Sequence, residues 1–322
     1  MPERTTSNVK VVFFGTPEIA LPTLTVLHER FDVVCAVTRP DRTRGRDRHK
    51  LEFSPVKEFA LAHNIAVLQP ESHRDEGFRE ALAAFDADVF CVMAFGLILP
   101  QWLIDMPKLG IFNAHTSLLP LLRGAAPINW AIINGFSESG VSIQRIVKKL
   151  DAGPLLWQKK IPLEKNETVE TLTAKMAAVA PEGMCETVRL AASGGLVERE
   201  QDESLATYAP QLQKEDGRID WNRSAAEIER QVRGMNPWPG AFTYINDSYL
   251  KIWEAEVAEG VSGEPGTVVA CSTKKGLIVA CGKDGLLIKT CQQENHKKLE
   301  TASFLCGCPL EIGFHFGDGE TN

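Results

Sequence analysis

Residues 9–17 read Val9-Lys10-Val11-Val12-Phe13-Phe14-Gly15-Thr16-Pro17, and their reading decides the fold. The apolar run, broken only by Lys10, is strand-length and shows no polar face, as a strand does when both sides of its sheet are covered. Gly15-Thr16-Pro17 turns the chain. Leu21, Leu24, Val26 and Leu27 then recur at helical spacing over residues 20–29, and residues 33–38 make a second strand. Strand, turn, helix, strand is the unit of a parallel sheet. The three spaced glycines of a dinucleotide fingerprint are missing after the first strand, so a nicotinamide cofactor is not expected.

Outward from this unit the alternation continues. Ser54 is placed to cap a helix with Pro55 in its first turn, where a missing N–H costs nothing, and the helix runs to about residue 63. Residues 66–68, 89–94 and 111–113 extend the strand series with helices between. Residues 141–146 and 155–161 bracket Asp151 like a hairpin, and a long helix covers residues 169–192. The expectation is an α/β, doubly wound, mostly parallel sheet over residues 1–192. Residues 193–216 are polar and irregular and read as a linker. Residues 217–322 read as a smaller all-β domain: a helix from Ser224 carrying Ile228 and Val232, then short strands near 242–245, 250–255, 266–270, 276–280 and 286–290 with glycine turns.

The 322 residues suit two domains. Apolar residues at 44% and charged residues at 24% describe an ordinary globular protein. No apolar run approaches the ~20 residues of a membrane span, and the polar stretch from Met1 to Asn8 is followed by no signal core, so a cytoplasmic protein without a membrane partner is expected. The eight cysteines are scattered, with only Cys306 and Cys308 close together. Neither a metal site nor a disulfide is expected from such spacing. The net charge is −7, yet Arg39, Arg42, Arg44, Arg46, Arg48 and Lys50 concentrate positive charge in one stretch. That stretch is either a solvated surface loop or the place where an acidic chain meets a polyanion.

Asn113-Ala114-His115 falls at the carboxyl end of a strand, where ligands of doubly wound sheets bind. Residues i and i+2 of a strand share a side. Asn113 donates hydrogen bonds, and His115 donates or accepts according to its protonation. Such groups steady a developing oxyanion and manage a proton. Asp151 could orient His115 and favour its charged form. A hydrogen-bonded histidine and an unrelated turn aspartate are the plainer alternative.

Longer strings shift that balance. The blocks Asn113-x-His115-x-Ser117-Leu118-Leu119-Pro120, Arg123-Gly124-Ala125-Ala126-Pro127 and Asp151-Ala152-Gly153 stand with Phe14-Gly15-Thr16-Pro17, Ser54-Pro55-Val56-Lys57, Gly96-Leu97-Ile98-Leu99-Pro100, Arg218-Ile219-Asp220-Trp221 and Asn236-Pro237-Trp238-Pro239-Gly240. On these the chain resembles the 10-formyltetrahydrofolate-dependent formyltransferases over nearly its whole length. The resemblance implies catalytic roles for Asn113, His115 and Asp151, with 10-formyltetrahydrofolate as formyl donor and no metal. It also implies a folate loop at Ser117, Leu118, Leu119 and Pro120, a pterin pocket lined by Phe95 and Gly96, and an OB-like barrel for the second domain. Within the family the chain is similar to the tRNA-directed branch. That similarity implies methionyl initiator tRNA as acceptor, met at Arg42, Arg44 and Arg46 through phosphates and unpaired bases; separately, a monomer is expected. Leu121, Thr116 and Phe95 depart from the family's usual residues.

Three points stay open at this level. Arg123 either faces an anion at a helix start or makes a structural ion pair. The acceptor is either tRNA or a small amine such as an aminosugar nucleotide. A non-catalytic RNA-binding protein is a third reading, against which the C-terminal half shows no concentrated basic-aromatic platform.

Overall fold

The computed structural model describes residues 7–43, 51–72, 76–246, 248–272 and 276–317. Two compact units emerge. The first comprises the described residues of Met1–Pro127, Glu138–Pro162 and Leu172–Pro210; the second those of Ile128–Ser137, Leu163–Thr171 and Gln211–Asn322.

The strands of the first unit are β1 (Ser7–Gly15), β2 (Phe31–Val37), β3 (Arg42–Thr43), β4 (Leu51–Glu52), β5 (Ala66–Leu68), β6 (Val89–Met93), β7 (Ile111–His115), β8 (Arg123–Gly124), β9 (Glu138–Arg145), β10 (Leu155–Pro162) and β11 (Tyr208–Ala209). Seven of them form one sheet in the order β10-β9-β7-β6-β1-β2-β5. The five from β7 to β5 run parallel, and the β9–β10 hairpin adds two antiparallel strands at one edge. The direction of winding reverses beside β1, which pairs with β2 on one side and β6 on the other, so the crevice of a doubly wound sheet opens at their carboxyl ends.

Helices α1 (Leu21–Arg30), α2 (Pro55–Ala62), α3 (Glu76–Ala83), α4 (Gln101–Ile104), α5 (Pro127–Ile133) and α6 (Val169–Ala192) alternate with these strands along the chain. Ser54 caps α2 by accepting from Lys57 N at 3.2 Å. On one face of the sheet Phe78, Leu82 and Leu103, from α3 and α4, pack on Val12, Phe14, Phe90 and Val92. On the other, Thr23 of α1 donates to Met93 Sδ at 3.2 Å, and Gly183 of α6 lies against the Trp157 ring. Val11, Val12, Phe13 and Phe14 are all fully buried, which is why residues 9–14 carry no polar alternation.

The stretch read as a linker is tied down along its first part. Arg199 bridges Leu155, Thr207 O accepts from Arg123 N at 2.9 Å, and β11 pairs in parallel with β8.

In the second unit α7 (Ala225–Met235) begins at a capping box: Ser224 and Glu227 exchange side-chain and backbone hydrogen bonds. Strands β12 (Ala241–Ile245), β13 (Ser248–Ala258), β14 (Val268–Ser272), β15 (Gly276–Ala280) and β16 (Gly285–Gln293) form an antiparallel sheet in the order β12-β13-β16-β15-β14, with β17 (Leu299–Glu300) beside β16. Antiparallel bridges Thr267–His315 and Tyr244–Gly317 join both edges to the chain's last described residues, which closes the sheet into a barrel. Its core gathers Ile228, Leu250, Ile252, Val268, Leu277, Val279, Leu286 and Ile288. Helix α8 (Thr301–Gly307) follows β17; no periodicity long enough to betray it exists in so short a segment.

Candidate active site at the strand ends

Strand alternation puts Ile111, Asn113 and His115 of β7 on one side of the sheet. Ile111 belongs to the core, and Asn113 and His115 extend the same row past it toward the carboxyl end. Antiparallel pairing sets Gln144 of β9 opposite Asn113, and Ser142 opposite His115. The row is therefore apolar until Ile111 and polar from Asn113 onward. Asn113 is half-buried, and its amide makes no side-chain hydrogen bond among the described residues.

His115 is 6% exposed. Its Nε2 lies 2.9 Å from Leu122 O, and a carbonyl only accepts, so Nε2 carries the proton. Nδ1 then faces Asp151 Oδ2 at 3.7 Å. That separation is too long for a direct hydrogen bond. Asp151 sits in the turn between β9 and β10 with φ +48°. Its Oδ2 accepts from Gly124 N at 2.9 Å and its Oδ1 from Gln144 Nε2 at 2.7 Å. A strand end, the loop before β8 and a hairpin turn thus bring His115 and Asp151 together, with Asn113 two residues along the same row.

Around Ser117 to Pro120 the chain is held by its own structure. Ser142 Oγ donates to Ser117 O at 2.6 Å and accepts from Leu119 N at 3.0 Å, while Gln158 Nε2 donates to Leu119 O at 2.9 Å. Ser117 Oγ donates to Leu121 O at 2.6 Å, and Leu119-Pro120 is cis. Leu118 rests on Gly140, and Leu119 is buried. At the end of β6 the two expected pocket residues divide. Phe95 is buried, edge-on to Phe14 at 5.3 Å, so its ring belongs to the core. Gly96 is exposed, has φ +77°, and has open space where a Cβ would stand. Its carbonyl accepts from Arg39 Nη1 at 3.2 Å.

Arg44 and Arg46 lie outside the described residues, and Arg42 is described only as backbone of β3. The stem of their loop is fixed: Lys57 pairs with Asp41 and donates to Gln69 Oε1 at 2.7 Å, and Gln69 Nε2 donates to Arg39 O at 2.9 Å. Among the described residues no cluster of three or more His, Cys, Asp or Glu is placed to hold a metal ion. The eight cysteines are free.

Arg123 resolves to an ion pair. It is fully buried and donates to both Glu203 oxygens, at 3.1 and 3.0 Å. Burial opposes its charge, but the bonds to Glu203 outweigh that cost and hold the guanidinium above its usual value. Glu203 is pulled down to about 2 by the Arg123 and Lys149 hydrogen bonds. Sequence reasoning missed Gln144, Gln201 and Thr207 around this site. Gln144 was in principle findable, because pairing β7 with β9 in register sets it opposite Asn113. Gln201 and Thr207 sit in a polar stretch with no periodicity to place them.

The sequence pattern of the formyl transferase family matches residues 9–188, and that of the formyl transferase C-terminal domain matches residues 211–309. The methionyl-tRNA formyltransferase of Pelobacter propionicus is 46% identical over 316 residues, covering 98% of this chain and 98% of that protein. Among solved structures, methionyl-tRNA formyltransferase from Clostridium thermocellum superposes with a TM-score of 0.54 at 14% identity, covering 79% of this chain and 95% of that one. HypX from Aquifex aeolicus in complex with tetrahydrofolic acid gives a TM-score of 0.61 at 16% identity, covering 93% of this chain and 47% of that one, so the chain spans about half the length of HypX. At these identities the structural likeness is one of fold. With the family pattern matched over more than half of its length and a relative of high identity along nearly all of it, the chain belongs to the formyl transferase family.

Proposed function

We propose that the chain transfers the formyl group of 10-formyltetrahydrofolate to the free amino group of methionyl initiator tRNA. The observation that carries this reading is the alignment of Asn113, His115 and Asp151 at the carboxyl ends of a doubly wound sheet, in a chain 46% identical to a methionyl-tRNA formyltransferase. The amine nitrogen bonds to the formyl carbon, negative charge gathers on the formyl oxygen, and the bond to the donor's aryl amine nitrogen breaks. The amine gives up a proton and the departing nitrogen gains one. Asn113, with its amide uncommitted, supplies the N–H for the oxygen. His115, its Nε2–H engaged by Leu122 O, presents Nδ1 with Asp151 to the proton that must move.

The folate fits beside the exposed turn at Ala94 and Gly96, where the open space at Gly96 admits a flat ring against the backbone. Ser117, Leu118, Leu119 and Pro120 form the opposing wall, and Phe95 supports it from the core. Arg42, Arg44 and Arg46 contact the tRNA in this reading. Residues 1–192 carry the chemistry, residues 193–216 connect, and residues 217–322 form the accessory OB-like domain of a monomeric, cytoplasmic enzyme. Incubation with 10-formyltetrahydrofolate and either methionyl initiator tRNA or an aminosugar nucleotide tests it. Formylation of the charged tRNA alone is expected, and formylation of the sugar alone would overturn the acceptor assignment.

A further inference from the structure

Asp151 lies at one end of a chain of buried amides whose hydrogen-bond polarity is set from the other end. Arg123 has no solvent-exposed surface, and a guanidinium only donates. Its Nε and Nη2 approach the same atom, Gln201 Oε1, at 3.1 and 2.8 Å. That end of Gln201 is therefore oxygen. The nitrogen end donates to the carbonyls of Asp151 at 2.9 Å and Gly153 at 2.7 Å, and reaches Gln144 Oε1 at 3.4 Å. An oxygen of Gln144 turned toward an N–H leaves Nε2 for Asp151 Oδ1, at 2.7 Å. Glutamine amides are often ambiguous as to which end is which. Here flipping Gln201 would set its N–H groups against guanidinium donors, and flipping Gln144 would set its oxygen against a carboxylate. Glu203 anchors the far end, held ionised by Arg123 and Lys149.

Gln144 is 1% exposed, and a buried amide is costly unless its groups are bonded. Both ends of this one are used, and one of them is given over to a single carboxylate oxygen.

Resting on the role of Asp151 given above, we propose that Arg123, Gln201 and Gln144 form a polarised relay that fixes the Asp151 carboxylate for formyl transfer, with Gln144 as the positioning residue. Oδ1 is occupied by the Gln144 donor, and Oδ2, steadied by Gly124 N, is thereby committed to the side of His115. The carboxylate cannot rotate to exchange its oxygens without breaking both bonds.

Gln144→Met keeps length and volume while removing the donor. In single-turnover transfer to methionyl-tRNA its rate is expected to fall about ten- to a hundredfold, the loss of one hydrogen bond to a charged group. Folate affinity and the KM for tRNA are expected to stay put. Gln144→Glu separates positioning from packing. It is isosteric, so a packing role ranks it above Gln144→Met; the relay ranks it below, because it turns an acceptor toward Asp151. A rate for Gln144→Glu above that of Gln144→Met overturns the relay. Melting curves report folding, and if the Gln144 variants do not fold, Gln201→Met is expected to show the same fall in rate without a change in KM; an unchanged rate there counts against the relay. Asp151→Asn runs alongside. If it alone collapses turnover while Gln144→Met is normal, the relay fails and the catalytic reading stands. If Asp151→Asn turns over normally, the catalytic reading itself has failed and the relay with it.

Discussion

In the seven-stranded sheet both faces are covered by helices, and polar side chains collect at the carboxyl ends of the strands, where His115, Gln144 and Asp151 are each hydrogen-bonded within the fold. In the barrel the alternation of β13 turns Leu250 and Ile252 inward and leaves Tyr249, Lys251 and Trp253 on the outer side. There the ring of Tyr249 stacks on Phe242 at 4.7 Å, and Lys251 and Lys298 lie over Trp253 at 4.1 and 5.0 Å. The first arrangement holds a carboxylate and an imidazole in place through hydrogen bonds on each of them, from Gly124 and Gln144 to Asp151 and from His115 to Leu122 O. The second holds cations against aromatic faces, a softer contact that tolerates displacement. The strand ends thus fix polar groups by hydrogen bonds, and the barrel face packs cations on rings.

The largest effects should therefore follow from the strand ends. Asn113→Ala, His115→Ala and Asp151→Ala are each expected to lower turnover by roughly 10²–10³, the scale of losing one oxyanion donor, with little change in folate binding. Single-turnover rates, with circular dichroism for folding, check this; a His115→Ala protein of near-normal rate would remove His115 from the mechanism. Next comes the basic stretch. Replacing Arg42, Arg44 and Arg46 together with alanine is expected to raise the KM for tRNA and to flatten the slope of log affinity against log salt by about two to three, roughly 0.7–0.9 for each phosphate no longer neutralised. Unchanged salt dependence would leave the stretch a solvated loop and favour a small amine as acceptor.

Much of this was legible in the sequence, and what escaped shares a physical cause. The strands around Val11–Phe14 and the helix after Ser54 follow from local pattern, because burial on two faces and a cap leave marks within a few residues. His115 and Asp151 were legible as a pair through their motifs, although only the fold brings them to 3.7 Å. Arg123 stayed ambiguous, because the residue that decides it, Glu203, lies in a stretch without periodicity. The grouping of aromatic and basic side chains on the outer side of β13 was not legible either. Phe242 of β12 and Tyr249 and Lys251 of β13 become neighbours through antiparallel pairing, and Lys298 reaches Trp253 from the segment after β16.

A smaller effect tests the softer side of the comparison. Lys251 Nζ donates to Pro237 O at 2.8 Å and covers Trp253, and burial lowers its pKa. Lys251→Met is expected to cost about 1 kcal/mol of stability, the combined scale of a cation–π contact and a modest hydrogen bond. The rate of the transfer step should not change. A fall in that rate at saturating tRNA would mean that the barrel face takes part in the chemistry.

The smallest effect compares one acid from each unit. Glu203 is held at about 2, first by its hydrogen bond to Arg123 and then by that to Lys149. Glu227 is lowered by hydrogen bonds from Ser224 in the capping box. In both, the folded state binds protons less readily than the unfolded chain does, so stability rises with pH across the interval between the two values. For Glu203 the contribution is complete above about 4.5 and is lost as the pH falls toward 2. Both side chains are well exposed, so solvent screening keeps the contributions small. Melting temperatures of Glu203→Gln and Glu227→Gln should each lie below that of the unaltered chain at neutral pH and converge with it in acid. The two should part company in the transfer rate. Glu227 caps a helix, and its loss should leave transfer unchanged. Glu203 fixes Arg123, from which Gln201, Gln144 and Asp151 take their order, so Glu203→Gln should slow transfer as well as soften the fold. Equal rates for the two variants would mean that the ion pair stabilises the chain without reaching Asp151.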